Sequence, residues 1–126
     1  MLPRLKRGPR LLLLDDDTAM QKLMETLLRR SGYRVDVVSS GKQAIEKLGT
    51  TEYGALLLDL MTPTEGGLTV IRHLQENAPE QLKRVILVTA SAESVINTVA
   101  SDVAAVVRKP FQPAELTSAV ARVVKQ

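Results

Sequence analysis

The chain has 126 residues, enough for one domain around one core. It holds no Cys and no Trp, which excludes disulfides and thiolate metal sites, and with Tyr33, Tyr53 and Phe111 as its only aromatics the core must be aliphatic. The net charge of +3 owes much to Arg4, Lys6, Arg7 and Arg10, but no aromatic residues interleave with these charges, so residues 1–9 are expected to be a solvated basic tail and the body of the chain not to contact nucleic acid.

No apolar run is long enough to span a bilayer and no signal peptide is evident, which excludes a membrane partner and fits a cytoplasmic setting. The rest of the chain, 10–126, reads as one domain. Leu11-Leu12-Leu13-Leu14 forms a first strand running into Asp15-Asp16-Asp17. Asp17 or Thr18 offers an N-cap, after which Met20, Leu23, Met24, Leu27 and Leu28 recur at helical spacing, with Arg29-Arg30 and Gly32 as stop signals. Residues 34–38 alternate in part, as an edge strand does, and a short helix follows over about 42–48.

Ala55-Leu56-Leu57-Leu58 is an apolar run that stops on Asp59. Bounded by Gly54 and Thr62-Pro63, it reads as a strand buried on both faces. Leu68, Ile71 and Leu74 then mark a helix ending before Pro79; its neighbour His73, the only histidine, is assigned no role. A strand over 84–89 ends on Thr89, a helix is predicted over 91–100, and a strand over 103–108 runs into Lys109-Pro110. Pro113 opens a last helix with an inner stripe of Leu116, Ala119, Val120, Val123 and Val124. Five β-α repeats predict an α/β protein, a doubly wound five-stranded parallel sheet.

Ligands bind such sheets at the C-terminal ends of the strands. Asp15, Asp16 and Asp59 would crowd carboxylates there, an unfavourable arrangement unless a cation intervenes. Oxygen-only ligation in a small open site suits Mg²⁺. Lys109 adds an ammonium and Thr89 a hydroxyl, both of which grip phosphoryl oxygens. Together with a carboxylate nucleophile, that set suits phosphoryl transfer to an aspartate. Any one of these residues alone would be read as an ordinary loop or cap residue; it is their agreement at four strand ends that carries weight.

Asp15-Asp16, Asp59, Pro63 and Gly67, Thr89-Ala90 and Lys109-Pro110-Phe111, in that order, make the chain resemble a response-regulator receiver domain of two-component signalling from about Arg10 onward. The resemblance implies a flavodoxin-like (βα)5 fold with strand order 2-1-3-4-5. It implies Asp59 as phosphoacceptor, taking its phosphoryl group from a histidine kinase or phosphotransfer protein. It further implies Mg²⁺ held by Asp16, Asp59 and the Met61 carbonyl, with Asp15 reaching the metal through water. Lys109, Thr89 and the amides of Leu60 and Ala90 would hold the phosphoryl group, and the Lys109-Pro110 bond would be cis. Such a domain is a self-catalysing phosphoacceptor rather than a turnover enzyme, and signals to an effector protein or an output domain. Homodimerisation through the fourth and fifth helices is compatible with the sequence but not decided by it.

The sequence departs from the family pattern at three places. Val106 stands where Tyr or Phe is usual, Thr62 precedes Pro63 where Met is usual, and Asp17 adds negative charge beside the acidic pair. Val106 leaves a degenerate receiver, acting only as a docking module, as an alternative. A haloacid-dehalogenase-type phosphatase would use Asp15 as nucleophile and Asp17 as acid, but Ala19 stands where that family has Thr or Val and no later acidic pair follows. An FMN-binding flavodoxin would want a hydroxyl- and glycine-rich phosphate loop where this chain has three acids.

Overall fold

A computed structural model describes residues 8–61 and 66–125. Arg4, Lys6 and Arg7 of the expected tail, and Thr62 and Pro63 after the central strand, lie outside the described residues. Five parallel strands, β1 (Arg10–Leu14), β2 (Arg34–Val38), β3 (Ala55–Leu58), β4 (Val85–Thr89) and β5 (Ala105–Arg108), form one sheet in the order β2-β1-β3-β4-β5. The helices are α1 (Thr18–Arg30), α2 (Gly41–Leu48), α3 (Gly67–Asn77), α4 (Glu93–Asn97) and α5 (Pro113–Val124).

Side chains alternate across a strand, so each apolar run feeds two cores. Leu12, Leu14, Leu56 and Leu58 pack with Val70, Ile71 and Leu74 of α3. Leu11, Leu13, Ala55 and Leu57 pack with Met24 and Leu28 of α1 and with Leu116 and Val120 of α5. Both faces of the central strands are thereby dry, each fully buried leucine contributing about 1.5–3 kcal/mol.

Local signals behave as the sequence predicts at several ends. Asp17 caps α1, accepting from the Met20 amide at 2.9 Å, and Gly32 follows the helix at φ +96°, a left-handed conformation open to glycine. The Asp17 carboxylate is thus engaged by the helix N-terminus, so the charge expected beside the acidic pair is turned to capping. The Lys109-Pro110 peptide is cis.

Other expectations need correcting. Leu23, assigned to the inner face of α1, is 46% exposed; at 3.6 residues per turn it lies roughly 90° from the stripe centred on Met20, Met24, Leu27 and Leu28. The helix predicted over 91–100 is only Glu93–Asn97, followed by a 3-10 turn at Ala100–Asp102. Ala92 gives it no side-chain cap, and the β-branched Val95, Ile96, Thr98 and Val99 favour helix poorly. A further 3-10 turn, Pro79–Arg84, joins α3 to β4.

Candidate functional site

Strand register assembles the site. Leu14 pairs with Leu58, so Asp15 and Asp59, each the next residue, emerge side by side, and the Asp59 amide donates to the Leu14 carbonyl at 3.1 Å. Thr89 pairs with Arg108, and the Lys109 amide donates to the Thr89 carbonyl at 3.0 Å. The four strand ends thus deliver their polar groups to one rim.

The side chains meet there. Lys109 Nζ donates to Asp15 Oδ2 at 2.6 Å and to Asp59 Oδ2 at 3.0 Å. Thr89 Oγ1 donates to Asp59 Oδ1 at 2.7 Å. Asp15 Oδ1 accepts the Asp17 amide at 2.9 Å. Asp15 is 1% exposed, Asp59 9% and Thr89 0%, whereas Asp16 and Ala90 are exposed. Leu60 is buried and Met61 is 58% exposed. Burial pulls the Lys109 pKa down, but its hydrogen bonds to Asp15 and Asp59 outweigh that, and the pKa lies above the ordinary lysine value. Lys109 is therefore a cation at neutral pH.

One carboxylate oxygen from each of Asp15, Asp16 and Asp59 lies within 4.8 Å of the others. Three formal negative charges face the single ammonium of Lys109, which leaves the cluster a formal net charge of −2. An all-oxygen donor set with that residual charge fits a hard divalent cation such as Mg²⁺.

Three further groups support the site, two of which, Ser91 and Gln21, escape sequence reasoning. The Ser91 amide donates to Thr89 Oγ1 at 3.2 Å, and the two hydroxyls lie 3.0 Å apart. The one Thr89 proton is committed to the Asp59 carboxylate, so the Ser91 hydroxyl must donate to Thr89. The Gly67 amide donates to the Asp59 carbonyl at 2.7 Å. The Gln21 side-chain amide donates to the Asp15 carbonyl. A half-buried loop serine and a helix glutamine carry no local pattern; only the Gly67 position has a sequence signal, as the glycine after the Asp59 loop.

Comparison with known proteins agrees with this geometry. The family model described as "Response regulator receiver domain" matches residues 11–121. The transcriptional regulatory protein GltR of Pseudomonas aeruginosa is 30% identical over 121 residues, covering 94% of this chain and 50% of the relative. Response regulator ArlR of Staphylococcus saprophyticus is 28% identical over 119 residues, covering 93% and 53%. The chain thus spans about half the length of these curated relatives. Among solved structures, the receiver domain of a sensor histidine kinase from Pseudomonas aeruginosa, with magnesium coordinated in its active-site cleft, matches with a TM-score of 0.84 at 28% identity, covering 94% of this chain and 99% of that one. The BeF3-activated DrrB receiver domain matches with a TM-score of 0.79 at 26% identity, covering 94% and 99%.

Proposed function

The chain belongs to the response regulator receiver domain family, and from that premise we propose that Asp59 accepts a phosphoryl group from the phosphohistidine of a histidine kinase or phosphotransfer protein. A carboxylate oxygen of Asp59 attacks phosphorus, a P–O bond forms, and the P–N bond breaks with its electron pair returning to the imidazole. The observation that carries this reading is the joint grip of Lys109 and Thr89 on the two oxygens of Asp59. An ammonium and a hydroxyl are groups that grip phosphoryl oxygens, and on this reading both would pass from the carboxylate to the phosphoryl group. The amides of Leu60 and Ala90 complete that shell.

Asp15, Asp16, Asp59 and the Met61 carbonyl would hold Mg²⁺, which supplies neutralising charge for the phosphoryl oxygens. Asp15 serves best as a support rather than a nucleophile: it is 1% exposed against 9% for Asp59, so an incoming phosphorus reaches Asp59 more readily. That argues against the phosphatase alternative. The self-catalysed acceptor, with no turnover chemistry of its own, acts in the cytoplasm and passes its state to an effector protein or to an output domain such as the second half of its curated relatives would allow.

Acetyl phosphate with Mg²⁺ should add one phosphoryl group to the wild type and none to Asp59→Asn, read by mass spectrometry with peptide mapping. Label persisting in the variant, or mapped to Asp15, would overturn the assignment.

A further inference from the structure

Gln21 lies on α1, three residues beyond the N-terminal residue Thr18, and belongs to none of the groups assigned above. Its side-chain amide has two N–H donors. It donates to the backbone carbonyl of Asp15 and also to Ser39 Oγ, the latter at 3.1 Å. Ser39 is itself fixed: its amide donates to Gln43 Oε1 at 2.8 Å, and Gln43 belongs to α2, whose N-cap Ser40 accepts the Gln43 amide at 3.2 Å. A line of hydrogen bonds therefore runs from α2 through Ser39 and Gln21 to the main chain of Asp15.

That carbonyl belongs to the peptide joining Asp15 to Asp16, the two acids that leave β1. Asp15 has its side chain fastened by Lys109 and by the Asp17 amide. Asp16 is exposed, one of its carboxylate oxygens lies within 4.8 Å of those of Asp15 and Asp59, and this peptide is its link to the strand. We propose that Gln21 is a positioning residue: by tying the Asp15–Asp16 peptide to the β2–α2 loop through Ser39, it holds the Asp16 carboxylate at the cation site. The inference rests on the metal-dependent reading of the site given above and adds to it the element that orients its exposed ligand. Partners of metal ligands act in this way, by limiting the geometries a ligand samples before the ion arrives.

The test is Mg²⁺ titration by calorimetry and by amide chemical shifts on the full chain, together with thermal unfolding in the absence of Mg²⁺. Gln21→Leu keeps side-chain bulk and removes both donors; it is expected to weaken Mg²⁺ binding by about 10-fold, the low end for an outer-shell partner. Ser39→Ala should weaken binding less than Gln21→Leu, and the double variant should match Gln21→Leu alone, because both act through one link. Wild-type affinity in a folded Gln21→Leu variant, or additive losses in the double variant, would overturn the positioning role alone. A wild-type chain that binds no Mg²⁺ would overturn the metal site itself and this inference with it.

Discussion

Thr89 and Asp59, distant in sequence, meet through a 2.7 Å hydrogen bond from the Thr89 hydroxyl to Asp59 Oδ1, with Thr89 wholly buried. Ser91 fills the acceptor side of the same hydroxyl. Thr89→Ala should therefore strip a donor from a buried carboxylate and leave the Ser91 hydroxyl without its acceptor, costing about 1–3 kcal/mol. Thr89→Ser keeps the proton and should recover most of that loss. Denaturant unfolding of the two variants checks it; equal stabilities would mean that the hydroxyl contributes nothing beyond its methyl neighbour.

Lys109 is the only cation in contact with the acidic cluster among the described residues. Removing one partner of a buried ion pair leaves the other uncompensated, typically at 3–5 kcal/mol. The Lys109 side chain retains 14% exposure, and water can reach that edge, so Lys109→Met is expected to lose about 2–4 kcal/mol at neutral pH without divalent cations. Mg²⁺ should narrow the gap, since it supplies charge to the same oxygens. Thermal melts with and without Mg²⁺ decide this: a deficit untouched by Mg²⁺ would separate Lys109 from the cation site. In the phosphorylation assay the variant should still bind Mg²⁺ but show a blunted amide-shift response to beryllofluoride.

The rim is legible in the sequence because β1, β3 and β4 are each an apolar run that stops on its functional residue: Leu14 before Asp15, Leu58 before Asp59, Val88 before Thr89. Buried parallel strands enforce that grammar, since a polar side chain inside the run would have no partner. Contacts between residues distant in sequence and lacking any periodicity were not legible. Asp36 on β2 reads as part of a half-exposed edge, yet it accepts from Tyr53 at 2.7 Å and from Arg10 at 2.8 Å, and Arg84 donates to the Tyr53 carbonyl at 3.1 Å. Gln21 and Ser91 were invisible for the same reason. Leu23 failed in the opposite way: an apolar residue at acceptable spacing was counted inward when it stands at the margin of the stripe.

The Asp36 contact gives Tyr53 a pH signature. Burial, followed by the hydrogen bond and negative charge of Asp36, pushes the Tyr53 phenol from 10.0 up to about 12. A folded-state pKa above the unfolded one means that the unfolded chain releases its proton first as pH rises. The stabilisation is therefore complete below pH 10 and is lost as pH climbs toward 12. Lys109, also shifted upward, acts in the same direction at high pH, so a stability curve alone would not separate the two. Phenolate absorbance in a Tyr33→Phe background isolates Tyr53, the chain having two tyrosines. Titration near 10 in the folded protein would break the assignment, and Asp36→Asn should lower the midpoint.

Gly67 sits where the first turn of α3 passes the main chain of Asp59. A Cβ built there would lie 2.6 Å from the Asp59 carbonyl oxygen and 3.1 Å from its carbon, and the Gly67 amide donates to the same oxygen. Two effects oppose each other in Gly67→Ala. Alanine favours a helix by about 1 kcal/mol over glycine, but the neighbour it would strike is backbone and cannot turn aside. Overpacking of this kind costs about 1–3 kcal/mol, and the strain falls on Asp59 itself. The expected result is a net loss of stability together with weaker Mg²⁺ binding and slower labelling of Asp59. Gly49→Ala provides the contrast: its Cβ would meet the Glu46 carbonyl oxygen at 3.4 Å and that of Ile45 at 3.9 Å, ordinary contacts, in right-handed helical backbone with φ −71°. That change should be neutral or stabilising by up to about 1 kcal/mol. If Gly67→Ala behaved like Gly49→Ala in both stability and labelling, the close approach of α3 to Asp59 would not be what holds the acceptor in place.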